Sequence, residues 1–205
     1  MEMAIIDRNV WKHWLRIKKR LMDKVTSIAI IGISEHGSQS EIGLIKPFLD
    51  AEDEHIAAAA LQAYGRLAAQ EGEELYWKYL FDRRQMISTR AYRMIWKYNI
   101  CYGAATLYHA YLYHENTRLG EYLLKLLLRE SSWERLPFIL RIYGKENLPE
   151  TIENNLQMAI RTRNMYARIS KNQAQEIYDI LRKKKDIIPK DIKEGIEFDI
   201  KYVSA

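Results

Sequence analysis

Val25, Ala29 and Ile33 form an i, i+4, i+8 apolar stripe among polar neighbours, the spacing of an amphipathic helix. The stripe returns 31 residues later as Ile56, Ala60 and Tyr64, and 31 later again as Ile87, Ala91 and Ile95. Further steps of 32 and 33 residues reach Leu119, Leu123 and Leu127, then Ile152, Leu156 and Ile160. Self-similarity at such a period is the mark of a repeat architecture in which each unit is covered by the next. Small Ala in the middle of the first three stripes suits close helix approach, and the Leu pairs of the last two suit wider packing. A second apolar column at Ile45, Tyr76 and Leu107 keeps the 31-residue step, so each unit is predicted to be a helix pair.

Punctuation agrees with the period. Ser38-x-x-Glu41, Ser131-x-x-Glu134 and Ser170-x-x-Gln173 each have the form of a capping box, in which hydroxyl and carboxyl or amide close free backbone N–H groups reciprocally. Gly72 and Gly103, also 31 apart, stand where the first helix of a pair must give way to the second. The expected fold is therefore all-α, a right-handed α-solenoid of about ten or eleven helices in one continuous domain.

The three parts of that expectation are an N-terminal capping helix or half repeat over 1–19, five helix pairs over 20–188, and a tail over 189–205. Val10, Trp14, Ile17 and Leu21 carry the first part, with Trp14 one period before Ile45, so the chain opens in mid-repeat. It is read as a capped solenoid or as the last part of a longer one. In the tail, Ile196, Phe198, Ile200 and Tyr202 alternate with polar residues at period two, which predicts a short strand. Such a strand would pack on its own solenoid, pair with the same tail of another chain, or add to a partner's sheet.

Several α-solenoid types share this period, tetratricopeptide and ankyrin-like repeats among them. Asp53-x-x-Ile56 followed by Ala63-Tyr64-Gly65-Arg66-Leu67 resembles the first helix of short bacterial HEAT-like repeats. Ile45-Lys46-Pro47-Phe48-Leu49 and Leu136-Pro137-Phe138 resemble their second helix. The resemblance to the HEAT-repeat family covers roughly residues 20–185 and is strongest over 51–82. The basic residue that often follows the first apolar position is replaced by Thr26, Ala57 and Ser88, and the later repeats keep only the apolar skeleton. The resemblance implies a stacked superhelix with an extended concave face that grips other macromolecules.

Composition narrows the classes. Of 205 residues, 48% are hydrophobic and 29% charged, which suits one sizeable core, while only 9 Gly and 4 Pro leave too few turns for a many-stranded β fold. The longest apolar run, Ile28 to Ile33, is far shorter than the ~20 residues of a membrane span, and no apolar stretch of signal-peptide length stands at the N-terminus, so the expectation is a cytoplasmic protein with no membrane role. Cys101 is the single cysteine, which excludes an internal disulfide or a cysteine metal cage.

Catalytic patterns are not found. There is no Gly-rich phosphate loop, no His pair at i, i+4 and no nucleophile elbow. His109 and His114 are five apart, about 140° around a helix, and share no ligand edge. Glu71, Glu73 and Glu74 suit a helix start, and Cys101 has no basic neighbour in sequence to activate it. Neither a metal nor a cofactor is expected.

Charge and aromatics carry more. Seven basic residues against three acidic ones leave 1–24 at net +4; three against ten leave 25–82 at −7; twenty-two against fourteen leave 83–205 at +8. The chain thus carries a longitudinal charge asymmetry able to steer a partner. Nine of the 14 Tyr crowd the central repeats. Trp77 and Tyr108 share a column one period apart, and His109 and Tyr113 share an i, i+4 face, so these four are the candidate partner-binding set. Arg141, Lys145 and Arg182 are the candidate phosphate contacts. The function expected is a non-enzymatic scaffold or adaptor that binds another protein. Its first rival is a nucleic-acid binder similar to the bacterial HEAT-repeat DNA glycosylases, whose catalytic pattern cannot be placed on this chain. A C-terminal segment of a larger scaffold is the second.

Overall fold

The computed structural model describes residues 8–68, 72–114, 116–145, 148–162 and 168–204, with side chains described from 22 to 203. Eleven α-helices and no strand are found among the described residues. Helix α1 spans Arg8–His36, and the short α2 (Ile42–Ile45) lies between 3-10 turns Gln39–Glu41 and Lys46–Phe48. Then follow α3 (Glu54–Ala68), α4 (Glu73–Leu80), α5 (Gln85–Lys97), α6 (Ala104–Tyr113), α7 (Thr117–Leu127) and α8 (Ser132–Ile142). The last three are α9 (Glu150–Arg161), α10 (Lys171–Lys183) and α11 (Lys190–Ser204). First helices thus alternate with second helices through five pairs, and α11 follows them. No described helix is long and apolar enough to cross a membrane.

The helices gather into two compact units, one up to Ile100 and one from Cys101. The expected single domain is therefore divided, within the third pair. Each unit holds its side of the connection by its own contacts. In the first, Tyr98 stacks on buried Tyr76 with ring centroids 6.4 Å apart. In the second, the buried Glu130 carboxylate accepts the backbone N–H groups of Gly103 and Tyr102.

In the first unit, α3 packs on α1 and α5, and α4 packs on α5. Ala60, Ile87, Ala91 and Ile95 are fully buried, as are Ile45 and Tyr76 of the second column. Gly65 makes the closest approach possible, since a Cβ there would lie 2.8 Å from Met94 Sδ and 3.0 Å from Tyr76 Oη. Below this core, Tyr79 donates its hydroxyl to Asp50 at 2.6 Å, and Arg84 bridges the Asp82 carboxylate and the Ala51 carbonyl. In the second unit, α6 packs on α7 and α8, α8 on α9 and α10, and α10 on α11. Leu107, Leu123, Leu127, Ile152, Leu156 and Ile160 are all buried there.

Helix starts are mostly where the punctuation set them. The Ser38 and Ser170 boxes form, the second with Gln173 N donating to Ser170 Oγ at 3.2 Å. Ser131 caps α8 by position only, because its side chain makes no capping hydrogen bond. Asn116 caps α7, its Oδ1 accepting from the backbone N–H groups of Arg118 and Leu119. Gly72 and Gly103 are the N-caps of α4 and α6, and Gly103 adopts φ 82°, a left-handed conformation that glycine reaches without strain.

Three expectations are corrected. The N-terminal capping helix does not end near residue 19, because α1 is continuous from Arg8 to His36 and no Gly, Pro or capping signal interrupts the sequence between the two stripes. Within α1 the Val25, Ala29, Ile33 stripe is not the core face: Ile30 and Ser34 are buried, whereas Val25 is 57% exposed. The tail is helical, not a strand. Ile192, Ile196 and Ile200, at i, i+4 and i+8, are buried on one side of α11, while Phe198 and Tyr202, also four apart, stack on each other at its exposed side. Two helical stripes offset by two residues produced the period-two pattern.

Two measurements test this packing. Ala91→Leu forces four carbons where one fits without exposure, and is expected to cost about 1–3 kcal/mol in chemical denaturation. An unchanged midpoint would contradict the proposed crossing. Burial holds the Glu130 carboxyl above its ordinary value, against the pull of Gly103 and Tyr102 N–H. The folded state therefore keeps the Glu130 proton more tightly than the unfolded one. Its contribution to stability is fully present below the ordinary pKa of Glu and is lost as pH rises through the folded value. Glu130→Gln removes this loss, so its stability should fall less than that of the wild type between mildly acidic and neutral pH.

Candidate functional site

The second helices of the second unit, α6, α8 and α10, lie side by side, α8 in the middle. Leu107 on α6, Leu136, Ile139 and Leu140 on α8, and Ile177 and Leu181 on α10 are spent on the core. What remains on the other side is a row of aromatic and charged groups. Tyr108 and Phe138, both half-buried, meet with ring centroids 4.9 Å apart. Arg141, one turn after Phe138, lays its guanidinium 5.4 Å from the Phe138 ring and 5.9 Å from the Tyr108 ring. The same guanidinium donates to Glu176 of α10 at 2.7 Å. One arginine is thus held in place by two rings and a carboxylate from three helices.

A cleft of about 520 Å³ opens beside this pair, lined by Arg141, Asn172, Glu176, Asp179, Ile180 and Lys184 among others. Lys184 closes one end, its ammonium donating to the carbonyls of Arg141 at 2.8 Å and Tyr143 at 2.7 Å, which ties the end of α8 to the end of α10. Burial, with the nearby charge of Lys145 in addition, lowers the pKa of Lys184 below the ordinary lysine value. Lys145 stands just after Gly144 (φ 71°), its ammonium 5.9 Å from the Tyr111 ring. Burial, followed by neighbouring Tyr108, raises the Tyr111 hydroxyl above its ordinary pKa. At this edge the site is cationic, and Glu176 and Asp179 oppose it with negative charge.

The structure distributes the sequence candidates unevenly. Tyr108 and Arg141, assigned to different groups, are brought together. His109 is exposed and meets Tyr108 edge-to-face with ring centroids 5.8 Å apart, and Tyr113 is 84% exposed at the end of α6. Trp77 belongs to the first unit, where it packs edge-on against Phe81 at 5.0 Å. Lys145 joins the row through Tyr111, whereas Arg182 pairs with Asp179 at 3.5 Å and borders a different recess, between α10 and α11, with Tyr178, Lys193 and Glu197. Phe138, Glu176 and Lys184 were not among the candidates. Phe138 was legible as the residue i−3 to Arg141, but Glu176 is 35 positions away and only packing of α8 on α10 reveals it.

Among the described residues no group of three or more His, Cys, Asp and Glu side chains could hold a metal ion. Exposed Cys101 lies in the connection before α6. No protein-family model, curated protein or solved structure matches the chain.

The Arg141–Glu176 pair is more than a third exposed on both sides, so water screens it and it contributes at most about 1 kcal/mol. Arg141→Ala should therefore lower the thermal midpoint only slightly and leave the helical circular dichroism spectrum unchanged. A large loss of stability would mean that the arginine serves the fold and not the surface.

Proposed function

We propose that the chain is a HEAT-like helical-repeat module without enzymatic activity, a scaffold or adaptor that grips another protein on the α6–α8–α10 row. The observation that carries this reading is Arg141 fixed between the Tyr108 and Phe138 rings beside an open polar cleft. Arg and Tyr dominate the energetics of protein interfaces because they bury large area, and a pre-positioned side chain loses little rotamer freedom on binding. The mixed charge of the cleft suits a polar peptide surface with both signs. A phosphate at Arg141 would have to displace Glu176 from the guanidinium, which argues against a nucleic-acid role at this position. Lys145, Lys183 and Lys184 are the residues on which a polyanion reading would rest.

A single comparison separates the two. In capture from native lysate followed by titration of the recovered partner, Tyr108→Ala and Arg141→Ala should each weaken binding by about 2 kcal/mol or more, roughly thirtyfold, with little dependence on salt. A chain that instead binds duplex DNA, with log affinity falling steeply and linearly in log salt, would overturn the protein-binding reading. Release of a base from alkylated duplex would replace it with the glycosylase-like one.

A further inference from the structure

α5 is one-sided in charge as well as in apolarity. Ile87, Ala91, Met94 and Ile95 are buried where α5 packs on α3 and α4. On the opposite side Arg90, Arg93 and Lys97 follow one another at i, i+3 and i+7, three cations on one stripe about 10 Å long. Arg93 and Lys97 are exposed and Arg90 is half-buried. α5 holds no Asp or Glu, and neither occurs anywhere from Arg83 to His114. Trp96 stands beside the stripe, 48% exposed, its ring tilted against Tyr92 with centroids 6.0 Å apart.

Solubility alone does not require this arrangement. A solvated helix face ordinarily mixes signs, so that cations find carboxylates a turn away, as Lys125 finds Glu121 on α7 and Lys190 finds Glu194 on α11. Among the described residues no carboxylate pairs with Arg90, Arg93 or Lys97. Lys97 instead leans on the Tyr98 ring at 5.3 Å. Arg90 gives up part of its water and also faces the like charge of Arg93, and these two effects, burial first, lower its pKa. Like charges held together beside a partly desolvated one destabilise each other, and an anion relieves them.

Carboxylates at both ends limit how long that anion can be. Asp82, held by Arg84 at 2.8 Å, stands before α5. Glu73 and Glu74, both exposed, open α4, whose Tyr76 stacks on Tyr98 at the far end of α5. A nucleic-acid backbone carries charge at every step and would run onto these groups, whereas a peptide carries carboxylates only where its sequence sets them. Alternate residues of an extended chain are about 6.6 Å apart, a spacing that lets two or three acidic side chains meet the stripe. We propose that the outer side of α5 is a docking surface for a short acidic segment of another protein, whose carboxylates meet Arg90, Arg93 and Lys97 and whose neighbouring apolar residue covers Trp96. Arginine forks suit this ligand because each can donate two parallel hydrogen bonds to one carboxylate. The surface belongs to the first unit and has a ligand of its own, so it does not depend on the α6–α8–α10 row being a gripping surface.

The probe is a fluorescein-labelled peptide of about ten residues, Glu and Asp around one central Phe, titrated with the full chain to about 200 µM. Its anisotropy should report binding that weakens at least tenfold between about 20 and 200 mM salt. Arg93→Glu combined with Lys97→Glu should weaken binding at least tenfold, and because both residues are exposed the helical circular dichroism should persist. If the reversed charges unfold the chain, Arg93→Gln with Lys97→Gln, which removes charge without adding repulsion, decides instead. Trp96→Ala should weaken binding of this peptide more than binding of the same peptide with Ala in place of Phe. Arg141→Ala should leave the affinity unchanged. No binding at low salt would overturn the proposal, as would binding that ignores the α5 substitutions or falls with Arg141→Ala. Tighter binding of oligothymidylate or of phosphatidylserine vesicles than of the peptide, lost with the same α5 substitutions, would overturn it in favour of a phosphate-binding surface.

Discussion

A two-helix unit of about 31 residues cannot bury its own apolar stripe, and every other feature of this chain follows from that constraint. Ile87, Ala91 and Ile95 are wholly buried because α5 has α3 and α4 packed against it. Where a helix lacks such cover the stripe stays in water, as Val25 and Ile28 do on α1 and as Phe198 and Tyr202 do on α11. The constraint also separates labour between helices. α3 and α5 spend their apolar residues on the core of the first unit, and in the second unit the second helices α6, α8 and α10 line up beside one another. On the side away from the core, α6 and α8 carry Tyr108, Phe138 and Arg141.

Much of the helical organisation was legible in the sequence because the repeated stripes are core stripes. Four of the five stripes named from spacing are buried at their central position, and the second column at Ile45, Tyr76 and Leu107 is buried throughout. The failures have physical causes. A helix with apolar residues on two sides gives no unique phase, so the spacing that picks out Val25 does not single out the buried Ile30. In α11 the buried Ile192–Ile196–Ile200 column and the exposed Phe198–Tyr202 pair overlap to mimic alternation. Ser131 occupies a cap without making the bond, since the capping box states a possibility of geometry that local backbone must still realise.

The candidate site was legible only in fragments. Tyr108 and Arg141 are 33 positions apart, and only the packing of α8 on α6 brings them together. Glu176 comes from a third helix and has ordinary surface character in sequence, so nothing local marks it. Trp77 shares a column with Tyr108 in the sequence, yet it belongs to the other compact unit and finds its own partner in Phe81. Column position reports the face of a helix, but not which neighbour that face will meet.

The central question for this protein is whether the row of second helices is the gripping surface. Hydrogen–deuterium exchange of the full chain, alone and saturated with its captured partner, measures this directly. Slowed exchange concentrated in α6, α8 and α10, with α3 and α5 unchanged, is expected if that row grips the partner. Protection confined to other helices, or protection that only duplex DNA produces, would contradict it.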